Sequence, residues 1–349
     1  MIRVNNIHLS LDYDDKSVRK AVAQQLRIEE KSIKSCKIFR RSVDARKKDN
    51  IYFLTTVDAE LNINEEKVCK KCGNAQIAIK YEYNQMKFGN APSPIVVGAG
   101  PAGLFAALIL ARSGAKPILI ERGRDVDRRT ADVNRFWTSG KLDITSNVQF
   151  GEGGAGTFSD GKLNSGTKDI RQRKVLEEFV SHGAPDEILY NAKPHIGTDM
   201  LKGTIKNIRN EIIELGGMVM FETKLVSMAF SDNKLKSITV ETANGDEIIE
   251  TDNVILAIGH SARDTFEMLY DLKLPIEAKP FSVGARIEHL REKVDKAQYG
   301  RFAGNKKLGS ANYKLSTHLD NGRGVYTFCM CPGGKVVNAS SEENRLCTN

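Results

Sequence analysis

Apolar residues recur at short, regular intervals through the first 90 residues of the chain. Alternation over residues 2–11 predicts a β-strand, and helical spacing over 17–26 predicts a helix with Ser17 as its N-cap. The same reasoning predicts further strands at 33–42, 51–57 and 76–83 and a helix near 65–71. We therefore expect a small α+β domain over residues 1–90. Residues 87–94, rich in Pro, Gly and Asn, have the composition of a linker.

The pattern changes after the linker. The apolar run at Ile95–Val97 is typical of a strand buried on both faces, and a helix over 101–113 and a second short strand at Ile118–Ile120 follow. Helical spacing recurs at 126–138, 171–182 and 199–215, and strands at 218–222, 225–230, 235–241 and 247–251 read as a β-meander. Another buried strand is predicted at 254–258. Beyond residue 280 short strands dominate, including 325–331 and 335–339.

Composition narrows the class of protein. The chain has 349 residues, 40% hydrophobic and 28% charged, which is typical of a soluble globular protein. Six cysteines and an N-terminus without an apolar signal stretch lead us to expect reduced thiols, a cytoplasmic location and no membrane partner. Nothing in the sequence indicates the oligomeric state.

The positive charge is concentrated at one end. Residues 1–90 carry 18 Lys and Arg against 12 Asp and Glu, in a chain whose net charge is +8. This excess is typical either of a site for an anionic partner such as RNA or of an ordinary solvated surface. We expect the second and treat a nucleic-acid partner as unlikely.

The turn after Ile95–Val97 contains the residues that most clearly indicate a function. In a G-x-G-x-x-G turn Gly98 permits the tight bend, Gly100 lets the backbone approach a pyrophosphate, and Gly103 lets the helix pack closely on the strand. Pro101 suits the first helical turn, and the free N–H groups of that turn would face phosphate. Glu121, after the second strand, is placed to accept hydrogen bonds from ribose hydroxyls. The segment therefore predicts a dinucleotide site.

A second glycine tract at 151–156 also fits G-x-G-x-x-G. The residues after it are too rich in Gly, Ser, Asp and Asn to open a helix. We interpret the tract as a loop whose N–H groups approach the cofactor. A purely structural loop and a second dinucleotide site are the alternatives.

These motifs together resemble a known group. The turn at 98–103, Glu121-Arg122-Gly123, a β-meander and the strand end Ala257-Ile258-Gly259 resemble flavoproteins of the glutathione-reductase-like superfamily with two dinucleotide-binding domains. The tracts at 150–163, 259–265 and 329–334 are similar to the bacterial FAD-dependent dehydrogenases, a largely uncharacterised family. The resemblance implies bound FAD and an undefined substrate. Members usually continue beyond a segment like 339–347, so the chain looks C-terminally truncated.

The resemblance implies an α/β fold: a Rossmann-like FAD-binding domain with a β-meander over 91–275, preceded by the α+β domain at 1–90 and followed by a partial antiparallel-sheet substrate domain at 276–349. The candidate cofactor-binding residues come from the two glycine segments, the second strand end, the helix after it, the meander and the third strand end. They are Gly98, Gly100, Pro101, Ala102, Gly103, Glu121, Arg122, Arg129, Gly153, Gly154, Ala155, Gly156, Thr157, Leu225, Ala257, Gly259 and His260. No residue is assigned a catalytic role, and no metal is expected.

Two cysteine pairs leave alternatives open. Cys69 and Cys72 form a lone C-x-x-C that is either two ordinary thiols or a redox dithiol whose thiol pKa is lowered by Lys70 and Lys71. Cys329 and Cys331 would share one face of a predicted strand, either as small buried side chains or as thiols near the flavin.

The function that the sequence favours is an FAD-dependent oxidoreductase that moves a hydride or an electron pair through the flavin. One alternative is a flavin-containing RNA-binding or RNA-modifying protein that docks through its basic N-terminal domain. Another is a flavin-binding electron-transfer partner without catalysis. Whether NAD(P)H is used, and the identity of the acceptor, are left open by the sequence.

Overall fold

A computed structural model describes residues 1–89, 92–158, 161–163, 167, 169–328 and 330–349. No helix within those ranges combines the length and the apolar character that a bilayer crossing requires.

The N-terminal unit is one antiparallel sheet with two helices. Its elements in chain order are β1 (Ile2–Leu9), α1 (Asp15–Leu26), β2 (Ile33–Asp44), β3 (Tyr52–Leu61), α2 (Glu65–Lys71) and β4 (Ala75–Ile77). The strand order is β2-β3-β1-β4. The apolar stripe of α1, with Val18, Val22 and Leu26, is buried in the core of this unit. The predicted α+β character of this segment is present.

Two local details differ from expectation. The N-cap of α1 is Asp14, whose carboxylate accepts hydrogen bonds from the Ser17 N–H and hydroxyl, so the helix begins earlier than predicted. A carboxylate caps the positive end of a helix at least as well as a hydroxyl does. The strand predicted at 76–83 ends at Ile77, because only Ala75–Ile77 finds a partner, in β1.

The central part alternates strands and helices before it reaches the meander. Its elements are β5 (Ile95–Val97), α3 (Pro101–Arg112), β6 (Ile118–Ile120), α4 (Val126–Ser139), α5 (Gln172–Ser181), α6 (Thr198–Glu214), β7 (Met218–Met220), β8 (Lys224–Ser231), β9 (Lys234–Thr242), β10 (Gly245–Glu250), β11 (Val254–Leu256) and α7 (Arg263–Asp271). Apart from α7, which was not predicted, these elements lie within a few residues of their predicted positions.

This part is built in three layers. The middle layer is a parallel sheet in the order β11-β5-β6-β7. On one face α3 and α6 bury Leu104, Leu108 and Ile208 against it. On the other face the antiparallel β8–β10 meander and α7 bury Ile238, Val240 and Leu269. The turn between β5 and α3 lies at the carboxyl edge of the parallel strands. In α/β proteins, ligands bind at this edge of the sheet.

The strand predicted at 254–258 was expected to be buried, and this expectation was wrong. β11 lies at the edge of the parallel sheet, and Ile255 and Leu256 are 40% and 39% exposed. An edge strand has a neighbour on one side only, so an apolar sequence does not ensure burial.

The last part contains less strand than predicted. A helix, α8 (Arg291–Tyr299), was not expected, and the strands are only β12 (Ser316–His318) and β13 (Gly324–Tyr326). Within the described residues the predicted strand at 335–339 is reduced to a bridge between Asn338 and Thr348. Short apolar runs do not distinguish strand from loop unless a partner strand is available.

The N-terminal unit is not an isolated module. Tyr299, Leu308 and Ala311 are buried in its core, so the end of α8 and the segment after it complete it. On its other side Arg41 exchanges backbone hydrogen bonds with Tyr190 and Ala192. The domain boundaries at 90 and 275 stay predictions.

Candidate functional site

The turn between β5 and α3 is as tight as its glycines allow. A Cβ on Gly103 would lie 1.7 Å from the Gly98 carbonyl oxygen, and Gly98 itself has φ +101°. The N-cap residue Gly100 has no side chain to satisfy the first N–H groups of α3, and Pro101 and Ala102 after it are exposed. The first turn of α3 therefore offers its N–H groups and positive dipole end to an anion.

Glu121, at the end of β6, connects this turn to two other segments. Its carboxylate accepts hydrogen bonds from the backbone N–H groups of Ala99 (2.7 Å), Gly123 (2.9 Å) and Gly151 (2.9 Å). The side chain is 6% exposed. The predicted contact with ribose stays a prediction. What the structure adds is that the same carboxylate holds the two glycine segments together.

The second glycine tract lies directly against the first. The Gly153 N–H donates to the Ala99 carbonyl at 2.8 Å, and a Cβ on Gly154 would lie 3.3 Å from the Gly100 Cα. The tract ends in a 3₁₀ turn, Ala155–Phe158, rather than an α-helix. It is thus a loop beside the first turn, as its composition predicts, and Ala155 and Gly156 lie on its accessible side.

Arg129 of α4 holds this loop from behind. Its guanidinium is fully buried and donates to the carbonyl oxygens of Asn147 and Val148, just before the tract, and of Gly151 and Glu152, at its start. Burial lowers the pKa of Arg129 to about 10. We predicted a cofactor contact for Arg129; in this structure its guanidinium faces the loop carbonyls and shapes the loop instead.

Glu152 secures the loop from a second direction. One of its oxygens, Oε2, accepts from the Val126 N–H at the start of α4 (2.7 Å) and from Arg209 of α6 (3.0 Å). The side chain is fully buried, and burial raises the pKa of its carboxyl above the ordinary value. Its other oxygen, Oε1, finds no hydrogen-bond partner within the described part of the chain.

Arg122 links the end of β6 to α7. Its guanidinium lies over the Phe150 ring at 4.5 Å and donates to Asp264 (2.9 Å) and Thr265 (2.8 Å). Lys224 also pairs with Asp264, at 2.8 Å. Burial opposes ionisation, but the hydrogen bonds from Arg122 and Lys224 hold the pKa of Asp264 well below its usual range. Arg122 therefore connects the end of β6 and the Phe150 ring to α7 at the edge of the site.

The remaining predicted residues lie around this centre. Ala257 donates its N–H to the Val97 carbonyl (2.8 Å), and its own carbonyl lies against Gly98. Gly259 and His260 follow on the surface, with His260 Nδ1 2.9 Å from the Ser261 hydroxyl. Leu225, in β8, is buried in the core. The structure thus groups the two glycine segments, Glu121 and the 257–260 strand end, and leaves Leu225 to act only through its backbone.

Three residues that hold the site in shape lie in the motifs cited above but were not among the candidate site residues. Glu152 and Asp264 carry the contacts described above, and a Cβ on Gly123 would lie 2.6 Å from the Gly151 Cα. Glu152 stands within the glycine tract, and an acid among glycines is an available signal. Asp264 had no local signal, because its partners Arg122 and Lys224 come from distant segments.

The surroundings of Cys69 do not favour the redox alternative. Burial raises the pKa of the Cys69 thiol, and the charges of Glu65 and Cys72 raise it further, which is the opposite of the lowering that the redox alternative requires. Among the described residues there is no group of His, Cys, Asp and Glu that could hold a metal. Cys329 lies outside the described residues, and Cys331 lies in a loop with the Lys162 Nζ 3.5 Å from its sulfur.

The geometry fits a flavin dinucleotide. An anion-binding helix end is exposed beneath a second backbone loop, and any side chain at Gly154 would press on Pro101 and Gly100. Thr157, fully buried at the end of that loop, has an Oγ1 without a hydrogen-bond partner in the described part of the chain. Gly98, Gly100 and the first turn of α3 would hold the pyrophosphate.

Family models match the chain in two places that carry this chemistry. Residues 93–132 match an FAD binding domain, and residues 280–349 match the model of an FAD-dependent protein, C-terminal domain-like. The cofactor of this protein is FAD. The two matches also support a place among FAD-dependent oxidoreductases. Residues 1–60 match a domain of unknown function, DUF8436.

Curated proteins that are similar in sequence include the following two. An uncharacterised protein of Clostridium beijerinckii is 48% identical over 354 residues, covering 100% of this chain and 66% of that protein. The tRNA uridine 5-carboxymethylaminomethyl modification enzyme MnmG of Finegoldia magna is 25% identical over 279 residues, covering 74% of this chain and 39% of the enzyme. The chain therefore spans less than two thirds of the length of either relative.

Two solved structures share a limited likeness with the chain. THI4 of Thermovibrio ammonificans is 15% identical and covers 53% of this chain and 64% of that one, with a TM-score of 0.36. The flavin-dependent monooxygenase PieE, solved with FAD and substrate, is also 15% identical and covers 55% and 34%, with a TM-score of 0.31.

Proposed function

We propose that this protein is an oxidoreductase of the bacterial FAD-dependent dehydrogenase type, which passes a hydride or an electron pair between FAD and a small-molecule substrate. The observation that carries the proposal is the contact between the two glycine segments. Gly154 approaches Gly100 over the exposed first turn of α3, and Glu121 ties both segments to the end of β6. When bound, FAD supplies the two-electron chemistry.

In this proposal, different segments of the chain bind different parts of the cofactor. The first turn of α3 binds the pyrophosphate through backbone N–H groups and the helix dipole. The loop 153–157 borders the flavin half, and Glu121 lies on the ribose side. The register of β8 with β9 shifts between Leu225 and Ser227, which leaves Val226 without a partner in the ladder. We assign the backbone of Leu225 and Val226 to the adenine edge on that basis.

The hydrogen-bonded side chains of this site position backbone segments rather than a reactive side chain. Arg129 and Glu152 fix the loop, and Arg122 with Asp264 fixes the strand end. We assign none of these side chains to proton transfer. A cytoplasmic location, with reduced thiols, belongs to the same proposal.

The test is an FAD titration followed by visible absorbance, with Gly100→Val as the disabling variant. Gly100 has φ −70°, an ordinary conformation, so valine adds bulk at the helix end without backbone strain. We expect wild type to bind FAD and Gly100→Val to lose at least about tenfold in affinity while its far-UV circular dichroism is retained. Equal affinity of the two proteins would overturn the site assignment.

A matched control is Gly203→Ala, an exposed glycine in α6 whose new methyl group would contact nothing within 4 Å. It should bind FAD as wild type does. Steady-state turnover with NAD(P)H and a dye acceptor then tests catalysis. A protein that binds FAD but shows no turnover with a panel of donors would be the non-catalytic flavin carrier instead.

A further inference from the structure

A cavity of about 470 Å³ lies far along the chain from the FAD site, where the N-terminal unit meets the segment after α8. Its aromatic lining is His8, Tyr52 and Phe302. The His8 and Tyr52 rings are stacked, with centroids 4.5 Å apart. Leu9, Leu11 and Ile51 line it as well and are buried. The volume is within the ordinary range for small-molecule sites, about 300–1,000 Å³.

We call this cavity the seam pocket, because it lies where the N-terminal unit meets the segment after α8. Direct contacts hold its two sides together. The Arg301 guanidinium donates to the Asp49 carbonyl at 2.7 Å, and a Cβ on Gly300 would lie 3.4 Å from the Lys48 Cβ. Tyr299 and Leu308, on either side of the lining residues Phe302 and Asn305, are buried in the core of the N-terminal unit. The pocket is therefore a built feature of the fold rather than a chance approach of two loops.

Polar and charged groups surround the aromatic lining. Ser10, Asp12, Asn50 and Asn305 also line the cavity. Two lysine pairs adjoin it in sequence: Lys47-Lys48 precedes Asn50, and Lys306-Lys307 follows Asn305. All four lysines are exposed, and none forms a salt bridge with any described residue. The neighbouring Arg46, in contrast, is paired with Asp44.

The charge balance of the seam pocket is thus positive, with one carboxylate, Asp12, in the lining and the exposed Asp49 nearby. A carboxylate repels phosphate but accepts hydrogen bonds from the amino and imino groups of a base. Stacked rings and amide groups in a cavity, with exposed lysines beside its lining residues in the sequence, are a combination that can hold a base and its phosphate.

We propose that the seam pocket binds a nucleotide unit, with its base against the His8, Tyr52 and Phe302 rings and its phosphate on the two lysine pairs. Asn50, Asn305 and Asp12 contact the base edge. The same chemistry is offered by a free nucleotide and by one residue of a single-stranded RNA. This site is separate from the FAD site and does not depend on the flavin chemistry.

The test uses FAD-saturated protein, because the FAD site itself accepts an ADP group. Guanosine and uridine monophosphates are titrated by calorimetry, and a short fluorescein-labelled single-stranded RNA is titrated by anisotropy at low and physiological salt. Binding of the RNA alone would identify a strand as the ligand, and binding of a monophosphate alone would identify a free nucleotide. No binding of either probe at low salt would refute the proposal.

The variants locate the site. Lys306→Glu with Lys307→Glu should weaken binding at least about tenfold, and His8→Ala should weaken it about fivefold through lost stacking. Lys67→Glu with Lys71→Glu makes the same change in net charge on α2, where both lysines border a different cavity. That control should change affinity less than about twofold. An equal loss in the control would show that binding follows net charge rather than this pocket.

The FAD absorbance band and the thermal unfolding midpoint are recorded for every variant. The pocket variants should keep both, because all of the substituted side chains are exposed. A protein that lacks the FAD band yet still binds the nucleotide probe would separate the failure of the proposed function from the failure of this proposal.

Discussion

Glu121 and Gly151 are joined by a hydrogen bond of 2.9 Å from the Gly151 N–H to the Glu121 carboxylate, although 30 residues separate them along the chain. The other oxygen of the same carboxylate accepts from Ala99. A single buried side chain therefore fixes both glycine segments at the place where we propose that FAD binds. This makes the carboxylate a structural requirement of the site before any contact with cofactor is considered.

Glu121→Gln should therefore reduce both stability and FAD affinity. An amide has one acceptor oxygen, so its NH₂ group must face a backbone N–H, and one buried donor loses its partner at a cost of about 2 kcal/mol. Urea unfolding and FAD titration measure the two effects. Glu214→Gln, on an exposed carboxylate in α6, is the control and should leave both unchanged. Wild-type stability in Glu121→Gln would contradict the role assigned to the carboxylate.

Gly103→Ala should be strongly destabilising. The added Cβ would lie 1.7 Å from the Gly98 carbonyl oxygen, and the backbone there cannot yield without opening the turn. We expect a loss of at least about 3 kcal/mol in the free energy of unfolding, or failure to accumulate as folded protein. Gly203→Ala makes the same change in an exposed helix and should stabilise by about 0.5–1 kcal/mol. Similar midpoints for the two variants would refute the close approach of α3 to β5.

Arg129→Lys should cost about 3 kcal/mol or more, because a single ammonium group cannot reach the carbonyl oxygens that the guanidinium satisfies. Those acceptors belong to Asn147, Val148, Gly151 and Glu152 and would be left buried. Arg128→Lys, one residue earlier on α4, changes a side chain that is 52% exposed and should alter stability by less than about 1 kcal/mol. Equal unfolding free energies for the two variants would be inconsistent with this account of the loop.

Acid should weaken the packing of α3 against α5 and α6. The hydrogen bond from Arg112 holds the pKa of Glu211 below its ordinary value of 4.5. Burial opposes ionisation of Glu178, yet Arg112 and Lys174 hold its pKa below 4.5 as well. Because these folded-state values lie below the unfolded ones, their stabilisation is complete well above pH 4.5 and is lost as pH falls through the folded-state pKa values.

Urea unfolding across a pH series measures this loss. The free energy of unfolding of wild type should fall below about pH 4.5. Arg112→Met should have a lower free energy of unfolding at neutral pH and lose less of it as pH falls, since the pKa of each carboxyl returns toward its ordinary value. Parallel slopes in the two proteins would show that other groups control the acid limb.

Local sequence was sufficient to predict the backbone elements at the core of the proposed FAD site. The turn at Gly98–Gly103 and the bounds of β5, α3 and β6 depend on residues close together in the chain, so their period and glycine spacing predict them. The same holds for the loop character of 151–156. Residues near in sequence are constrained by backbone geometry alone, whatever the rest of the molecule does.

Local sequence did not predict the features that depend on which distant segments come into contact. Arg129 was predicted from its position after Glu121, but its burial depends on the path of residues 147–152. The exposure of β11 depends on which strand lies at the sheet edge, and the length of β4 on what β1 could pair with.

The sequence by itself therefore determined the dinucleotide turn, the order of most helices and strands, and the resemblance that led to FAD. Only the tertiary structure decided that Glu121 holds two loops, that Arg129 is internal, and that His8, Tyr52 and Phe302 line one pocket. The physical reason is range. Periodicity and turn chemistry act over a few residues, whereas burial, charge pairing and cavities arise from segments that the chain brings together only after it has folded.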